Sequence, residues 1–390
     1  MPPTNCDPPP PPFQPGQAVE ARHVSGFEMT DKLFVPATVR AISNDVSHDS
    51  KHCSRTYTVE FCASGAVEDG VPEHFIKLPS ERVVFRANGV EVAHGSFGES
   101  QALILRFQQD NGLVQAVSLI ESSANGAILP HSVWEVNQAL ASSIALAGLD
   151  QHTSGVQKRR VALLGLGAGT LARTMIHAYP DLSIVGAERS SSVLEAARSH
   201  FGLSDLPIEA RQVDALKLLN EEPKESVDLC IADIASDDAG NVSAQREGGD
   251  TPSDDVLSFP PEPFTSAAGL REHVLPKLAR DGAVAINAMG GRKALLTLCL
   301  ELEQAFPAVR VIATDPNCIF ICSIDRGAPL PRDPREASVT IRSNEALAEM
   351  SEQLLSFIDR TDQLASDETL IGYFTPSHFR EMLANHNVIV

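Results

Sequence analysis

The chain has 390 residues, 43% of them hydrophobic, with 31 basic against 51 acidic side chains and a formal net charge of minus 20. That length accommodates two domains with appendages, and that apolar share builds a real core. The summed field repels polyanions, which argues against nonspecific nucleic-acid binding and favours a basic protein or a small cation as partner.

Residues 1–12 end in an unbroken Pro8 to Pro12 run, which favours extended polyproline and builds no core. They read as a disordered tail or as a ligand for a proline-reading domain. Residues 13–79 read as short strands, QAVEARHV, LFVPATVRAI, RTYTVEFC and a closing VPEHFIKLP, in which valines and aromatics alternate with polar residues as in a small barrel. His48, His52 and Cys53 crowd a polar loop, read as solvated rather than as a metal site. Residues 80–135 continue as β-hairpins, with Asn88-Gly89 and Asn111-Gly112 as turn signals between segments such as ALILRF and LVQAVSLI. Ser132 to Leu146 looks helical and carries the only tryptophan, Trp134.

Through F-x-x-G-x-x-V-E-A, V-P-A-T-V and Y-T-V-E-F, residues 13–79 resemble Tudor or Agenet modules of the SH3-like class. The resemblance implies an aromatic cage for methylated lysine or arginine, held by cation–π attraction, with Phe34, Tyr57 and Phe61 as walls. Val35 and Cys62 stand where that pattern often has an aromatic and an acid, so an SH3-like spacer or docking module is the alternative.

Residues 136–325 change to strand and helix in alternation, the mark of a doubly wound α/β sheet. Seven strands are expected, at VALLG, LSIVGAE, IEARQVD, VDLCIAD, GAVAINA, VRVIATD and CIFICSI. The last two, joined at Pro316-Asn317, predict a terminal antiparallel hairpin of a kind that suits a methyltransferase better than a dehydrogenase. Cys318 and Cys322 fall on the last strand, roughly 13 Å apart at strand rise, too far to bridge. Seven cysteines, odd and scattered, point to a reducing compartment.

The chemistry begins at Val161 to Ala172, VALLGLGAGTLA, where an apolar strand runs into a glycine-rich turn and then a helix. Such a turn lets the backbone bend sharply and approach a nucleoside-bearing cofactor, and an acid about 20 residues on takes the ribose hydroxyls. Glu188 holds that place. From Gly165 the glycines read G-x-G-x-G, through Gly167 and Gly169, as in S-adenosylmethionine sites; from Gly167 they read G-x-G-x-x-A, as in NAD sites. Beyond Glu188, Ser192 and Glu195 form a capping box and Gly202 ends the helix.

Three acids at successive strand ends favour the first register. Glu188 is placed to accept from the ribose hydroxyls, Asp214 from the adenine amino group, and Asp233 lies near the methionine moiety. Residues 236–263 contain DDAGNVSAQREGGDTPSDD, polar and acidic, and read as a mobile insertion, either substrate lid or tolerated loop. Residues 326–390 read as a linker and helices, with Leu347, Met350, Leu354 and Ile358 on one stripe that packs back on the domain.

With N-G-L-V-Q, LLGLGAGTL, LEAARSHFGL, FPPEPF, LPKLARDGAVAIN and NCIFICS, residues 100–325 resemble the spermidine-synthase-like branch of class I methyltransferases. Within it they are most similar to the C-terminal domain of the methyltransferase-like 13 family, which modifies the N-terminus of translation elongation factor 1 alpha. The resemblance implies S-adenosyl-L-methionine as cofactor and transfer of methyl to a protein amine, a lysine or an N-terminus, on a basic protein such as a translation factor. Asp233 and Asn287 are the expected catalytic pair, orienting the amine while water takes the proton. The sequence departs from the family where Ala235 replaces a second acid after the fourth strand and Ser190 replaces an acid after Glu188; Asp237 and Asp238 are possible substitutes. Three other readings stay open, an NAD oxidoreductase with the least support. Aminopropyl transfer shares the fold, but only Tyr57, Tyr179 and Tyr373 exist to line an amine site. A non-catalytic adaptor accounts for the missing acid. No apolar stretch approaches the roughly 20 residues of a membrane span, no leader opens the chain and no basic localisation cluster is evident, so the expected location is the cytoplasm, with the nucleus open.

Overall fold

The computed structural model describes residues 18–21, 35–45, 54–61, 67–72, 76–77, 82–97, 100–107, 114–121, 126–150, 158–234, 256–314, 317–324, 330–331, 333–359 and 371–385. The chain divides into two compact units, Met1–Ala127 and Ile128–Val390.

In the first unit, β1 (Ala18–Ala21), β2 (Val35–Asp45), β3 (Ser54–Phe61), β4 (Val67–Pro72) and β5 (Ile76–Lys77) form an antiparallel sheet in the order β4-β3-β2-β1-β5. The closing stretch expected as one strand divides into β4 and β5, since a proline such as Pro72 donates nothing to a ladder and ends a strand. Tyr57 has no solvent exposure and shares the interior with Val39, Val59 and Val71. A cage wall must present its face to an incoming cation, so Tyr57 is a core residue instead. Phe34 lies outside the described residues and the side chain of Phe61 is not described, as are His48, His52 and Cys53 outside them.

The next four strands, β6 (Arg82–Ala87), β7 (Val90–Phe97), β8 (Ser100–Phe107) and β9 (Val114–Ile120), make an antiparallel meander. Asn88 and Gly89 take φ of 46° and 79°, the two left-handed residues that a tight hairpin between right-twisted strands requires. Asn111-Gly112 lies outside the described residues.

The second unit opens with β10 (Ile128–Ser132) and α1 (Glu135–Leu146), then alternates: β11 (Arg160–Leu164), α2 (Thr170–Ala178), β12 (Ser183–Glu188), α3 (Ser191–Ser199), β13 (Ile208–Gln212), α4 (Ala215–Glu221) and β14 (Val227–Ala232). After β15 (Leu257–Phe259) and helical turns over 267–277 come β16 (Leu278–Gly290), α5 (Arg292–Ala305), β17 (Ala308–Thr314) and β18 (Cys318–Ser323). The end of the chain adds α6 (Pro334–Arg342), α7 (Glu345–Met350), α8 (Glu352–Asp359), β19 (Ile371–Phe374) and α9 (Pro376–Asn385).

The strands from β11 to β19 form one nine-stranded sheet in the order β13-β12-β11-β14-β16-β18-β17-β19, with β15 paired to β16 beside that path. The first five are parallel, and β18 inserts antiparallel between β16 and β17. The terminal hairpin is therefore present, and two strands join the seven expected. One is β19, a four-residue strand paired antiparallel to β17. The other is β15, inside the stretch read as a mobile insertion, which pairs with the far end of β16 at Met289 and Gly290.

Alternation with period two sends side chains to two cores. Val161, Leu163, Leu229, Ile231, Ile319 and Ile321 face one; Ala162, Leu164, Cys230, Ala232, Phe320 and Cys322 face the other. The first is covered by α1, α2, α3 and the C-terminal α6, α7 and α8, and the second by α4, α5 and α9. Leu347, Met350, Leu354 and Ile358 all lie in the first core, on two helices broken at Ser351 rather than on one. Cys318 and Cys322 are buried and unbridged, as their spacing required. Among the described residues no helix is long and apolar enough to cross a membrane.

Candidate functional site

Chain order reverses between β11 and β14, neighbours from which the sheet grows outward in both directions. Such a switch point opens a crevice at the carboxyl ends of the strands. The glycine turn after β11 lies there, and Gly165, Gly167 and Gly169 all take positive φ, 89°, 54° and 80°. Each has a different reason for lacking a side chain. A Cβ on Gly165 would stand 1.9 Å from the Asp233 carbonyl oxygen, and one on Gly169 would stand 2.5 Å from Leu203 Cδ1. A Cβ on Gly167 would meet nothing within 4 Å, so this glycine keeps a space open beside the turn.

Glu188 closes the turn from β12. Its Oε2 accepts from Gly167 N at 3.0 Å and its Oε1 from Ser190 N at 2.8 Å. Burial raises its pKa, and the N–H groups of Ser190 and Gly167, with the charge and N–H of Arg189, oppose that shift. An ionised carboxylate offers about four acceptor sites, so two bonds leave capacity for a ligand's hydroxyls. Ser190, noted as a departure, is thus part of the arrangement: it holds Glu188 through its N–H and caps α3 by accepting from Val193 N at 3.2 Å. The expected cap, Ser192, is buried within the first turn, two residues further on.

Asp214 caps α4. Its Oδ1 accepts from Leu216 N at 2.9 Å and Lys217 N at 3.2 Å, and the residue is exposed at the end of β13. That cap is what the side chain does in this structure, in place of pointing its whole carboxylate at a ligand.

At the end of β14, the Asp233 backbone N–H donates to Leu164 O at 2.8 Å, locking this strand end to β11 beside Gly165. Asp233 Oδ1 accepts from Asn287 Nδ2 at 2.8 Å, and Asn287 Oδ1 accepts from Asn317 Nδ2 at 2.9 Å. Desolvation pushes the Asp233 pKa up, and the Asn287 donor works against it. Asn287, 4% exposed, has its carbonyl, expected to face an acceptor amine, bonded to Asn317 in this structure. Asn317 was read only as a turn residue. Its place beside Asn287 follows from β18 lying next to β16, which no local pattern announces. Asn137 on α1 was also missed; its Nδ2 donates to Ser132 Oγ at 2.9 Å and to Thr170 Oγ1 at 3.2 Å, tying α1 to the first residue of α2. Ala235, Asp237 and Asp238 lie outside the described residues, and those residues hold no cluster of three or more metal-ligating side chains.

Glycine turn, Glu188 and the Asp233–Asn287–Asn317 chain thus meet along one edge of the sheet. No protein-family model matches the chain, and no curated protein matches it. Among solved structures it is similar to a probable spermidine synthase from Corynebacterium glutamicum, 18% identical, covering 80% of this chain and 96% of that one at a TM-score of 0.54. That likeness establishes the fold, the methyltransferase-type fold that spermidine synthases share. The chain is similar also to human methyltransferase-like protein 13 in complex with SAH, 22% identical over 56% of this chain and 93% of that one, TM-score 0.43. A spermidine synthase from Thermotoga maritima is 10% identical over 87% of this chain and 97% of that one, TM-score 0.43.

Proposed function

We propose that this chain is an S-adenosylmethionine-dependent methyltransferase acting on a protein amine, a lysine or an N-terminus. The observation that carries the reading is Glu188, a half-buried carboxylate held by Gly167 N and Ser190 N at the mouth of a three-glycine turn, with acceptor sites left over. A half-buried acid with spare acceptors suits a ribose diol, and the open space at Gly167 suits the body of a nucleoside. The bound cofactor supplies an electrophilic methyl on a sulfonium.

The chain's own residues position the other reactant. Transfer needs a neutral amine aligned behind the methyl, so orientation and desolvation matter more than proton abstraction. Asp233 is the residue we assign to accept an N–H of that amine, and burial raises its own pKa. Asn287 steadies Asp233 instead of contacting the amine. The net charge of minus 20 favours a basic acceptor, such as a translation factor. In the first unit, β1 paired on one side to β2 and on the other to β5 supports an SH3-like barrel, and a buried Tyr57 favours docking over methyl reading.

Aminopropyl transfer has weaker support because the tyrosines are committed elsewhere. Tyr57 is buried in the first unit, Tyr373 donates to Pro331 O at 2.7 Å, and Tyr179 packs against the first core at the C-terminal end of α2, away from the glycine turn. The test is transfer from methyl-labelled S-adenosylmethionine to a cell extract. Label on a protein band, base-stable and lost with Asp233→Ala, is expected; label confined to small molecules, as aminopropyl transfer would leave it in methylthioadenosine, or label on no protein would contradict the proposal.

A further inference from the structure

An ionised carboxylate only accepts hydrogen bonds, so Asn287 must turn its NH2 toward Asp233 and its carbonyl away. Nothing intrinsic to an amide enforces that choice, since its two ends are alike in size. The structure supplies the constraint from the far side: Asn317 Nδ2 lies 2.9 Å from Asn287 Oδ1. Asn317 is itself held, because its carbonyl accepts from Thr314 N at 2.8 Å and Thr314 Oγ1 at 3.3 Å, closing the β17–β18 hairpin. Thr314 is buried, so the anchor is part of the sheet.

We infer that Asn317 is a positioning residue: by donating to the Asn287 carbonyl it fixes the orientation of that amide, so that Asp233 meets a donor and keeps its second oxygen for the acceptor amine. This rests on the methyltransferase reading for its purpose, though the hydrogen-bonded chain does not. Were Asn287 to flip, its carbonyl oxygen would face the Asp233 carboxylate, two acceptors with no proton between them. Burial and the Asn287 bond are the two influences on the acidity of Asp233, and no charged side chain is among them, so a disturbance of the amide registers there directly.

The test is a carboxyl-carbon NMR titration of Asp233 in the full chain, assigned by comparison with Asp233→Asn. Asn317→Leu is nearly isosteric, uncharged and without a donor. It is expected to weaken the acidity of Asp233 about threefold or more, roughly what one modest hydrogen bond to a charged system contributes. In an Asn287→Leu background the same replacement is expected to add no further shift, because the two residues act in series. An unchanged midpoint in Asn317→Leu, or an equal shift with and without Asn287, would overturn the inference. If circular dichroism shows Asn317→Leu unfolded, Asn317→Ala carries the same two comparisons. Titration of S-adenosylmethionine into the same samples separates the readings: wild type that shows the coupling yet binds no cofactor contradicts the proposed function and leaves the role of Asn317 intact.

Discussion

Glu188 carries two backbone N–H groups on two different oxygens, and that division predicts what replacement does. Glu188→Gln turns an NH2 toward one of those donors, and Glu188→Ala removes both acceptors. Either is expected to weaken S-adenosylmethionine binding by about 2 kcal/mol, roughly thirtyfold, measured by calorimetry; unaltered affinity would remove Glu188 from the site. Asp233 yields a prediction of opposite sign for stability. Its native pKa is raised above the unfolded value, so the native state holds the extra proton in that interval and stability falls as pH rises through it. The penalty is fully present above the native pKa. Asp233→Asn is therefore expected to melt higher than wild type at pH 7, with the gain vanishing at acid pH below the unfolded pKa, while transfer is lost. A lower melting temperature at pH 7 would show that the ionised carboxylate stabilises the fold. At this scale the sequence was legible for position, since Glu188 and Asp233 stand at the strand ends where the pattern set them. It was not legible where a partner arrives from a distant strand: Asn317 and Asn287 are 30 residues apart, and Ser190 acts through a backbone N–H that its side chain does not announce.

The glycine turn joins β11 to α2 by two kinds of constraint, and a pair of alanine variants separates them. Gly165→Ala drives a methyl into the Asp233 carbonyl and forces a left-handed residue at φ 89°, so it is expected to cost at least about 2 kcal/mol in urea unfolding. Gly167→Ala meets no protein atom and takes a milder φ of 54° at about 1 kcal/mol. Its methyl enters the open space instead, and the expected outcome is a folded protein with weakened cofactor binding. Equal effects of the two variants on folding would contradict that division. The alternation of β11, β14 and β18 between two cores was readable because period two survives in any strand. The three-residue β15 was not, since it is held by pairing with an overlong β16 and carries no periodicity of its own. The short β19 likewise depends on β17, and the stripe from Leu347 to Ile358 gave the buried face but not the break at Ser351.

For the molecule as a whole, charge sets the terms of association. A net charge of minus 20 is expected to speed encounter with a basic acceptor, and raising salt from low to physiological levels is expected to slow it several-fold in stopped-flow measurements. A salt-independent rate would place the recognition in apolar contacts. The doubly wound sheet was legible from the alternation of elements, and its placement of the glycine turn and Asp233 at one switch point is what unites the separate signals. The first unit was read as strands correctly, but a cage was not recoverable from residue types alone, because the burial of Tyr57 depends on which face of β3 turns inward. The most direct test of the central claim is calorimetry of the full chain with S-adenosylmethionine, decarboxylated S-adenosylmethionine and NAD, beside Glu188→Ala. Micromolar binding of S-adenosylmethionine, weak binding of the other two and loss in the variant are predicted; binding of none would contradict the enzyme reading and leave a cofactor-free adaptor, and preference for the decarboxylated form would make the chain an aminopropyltransferase.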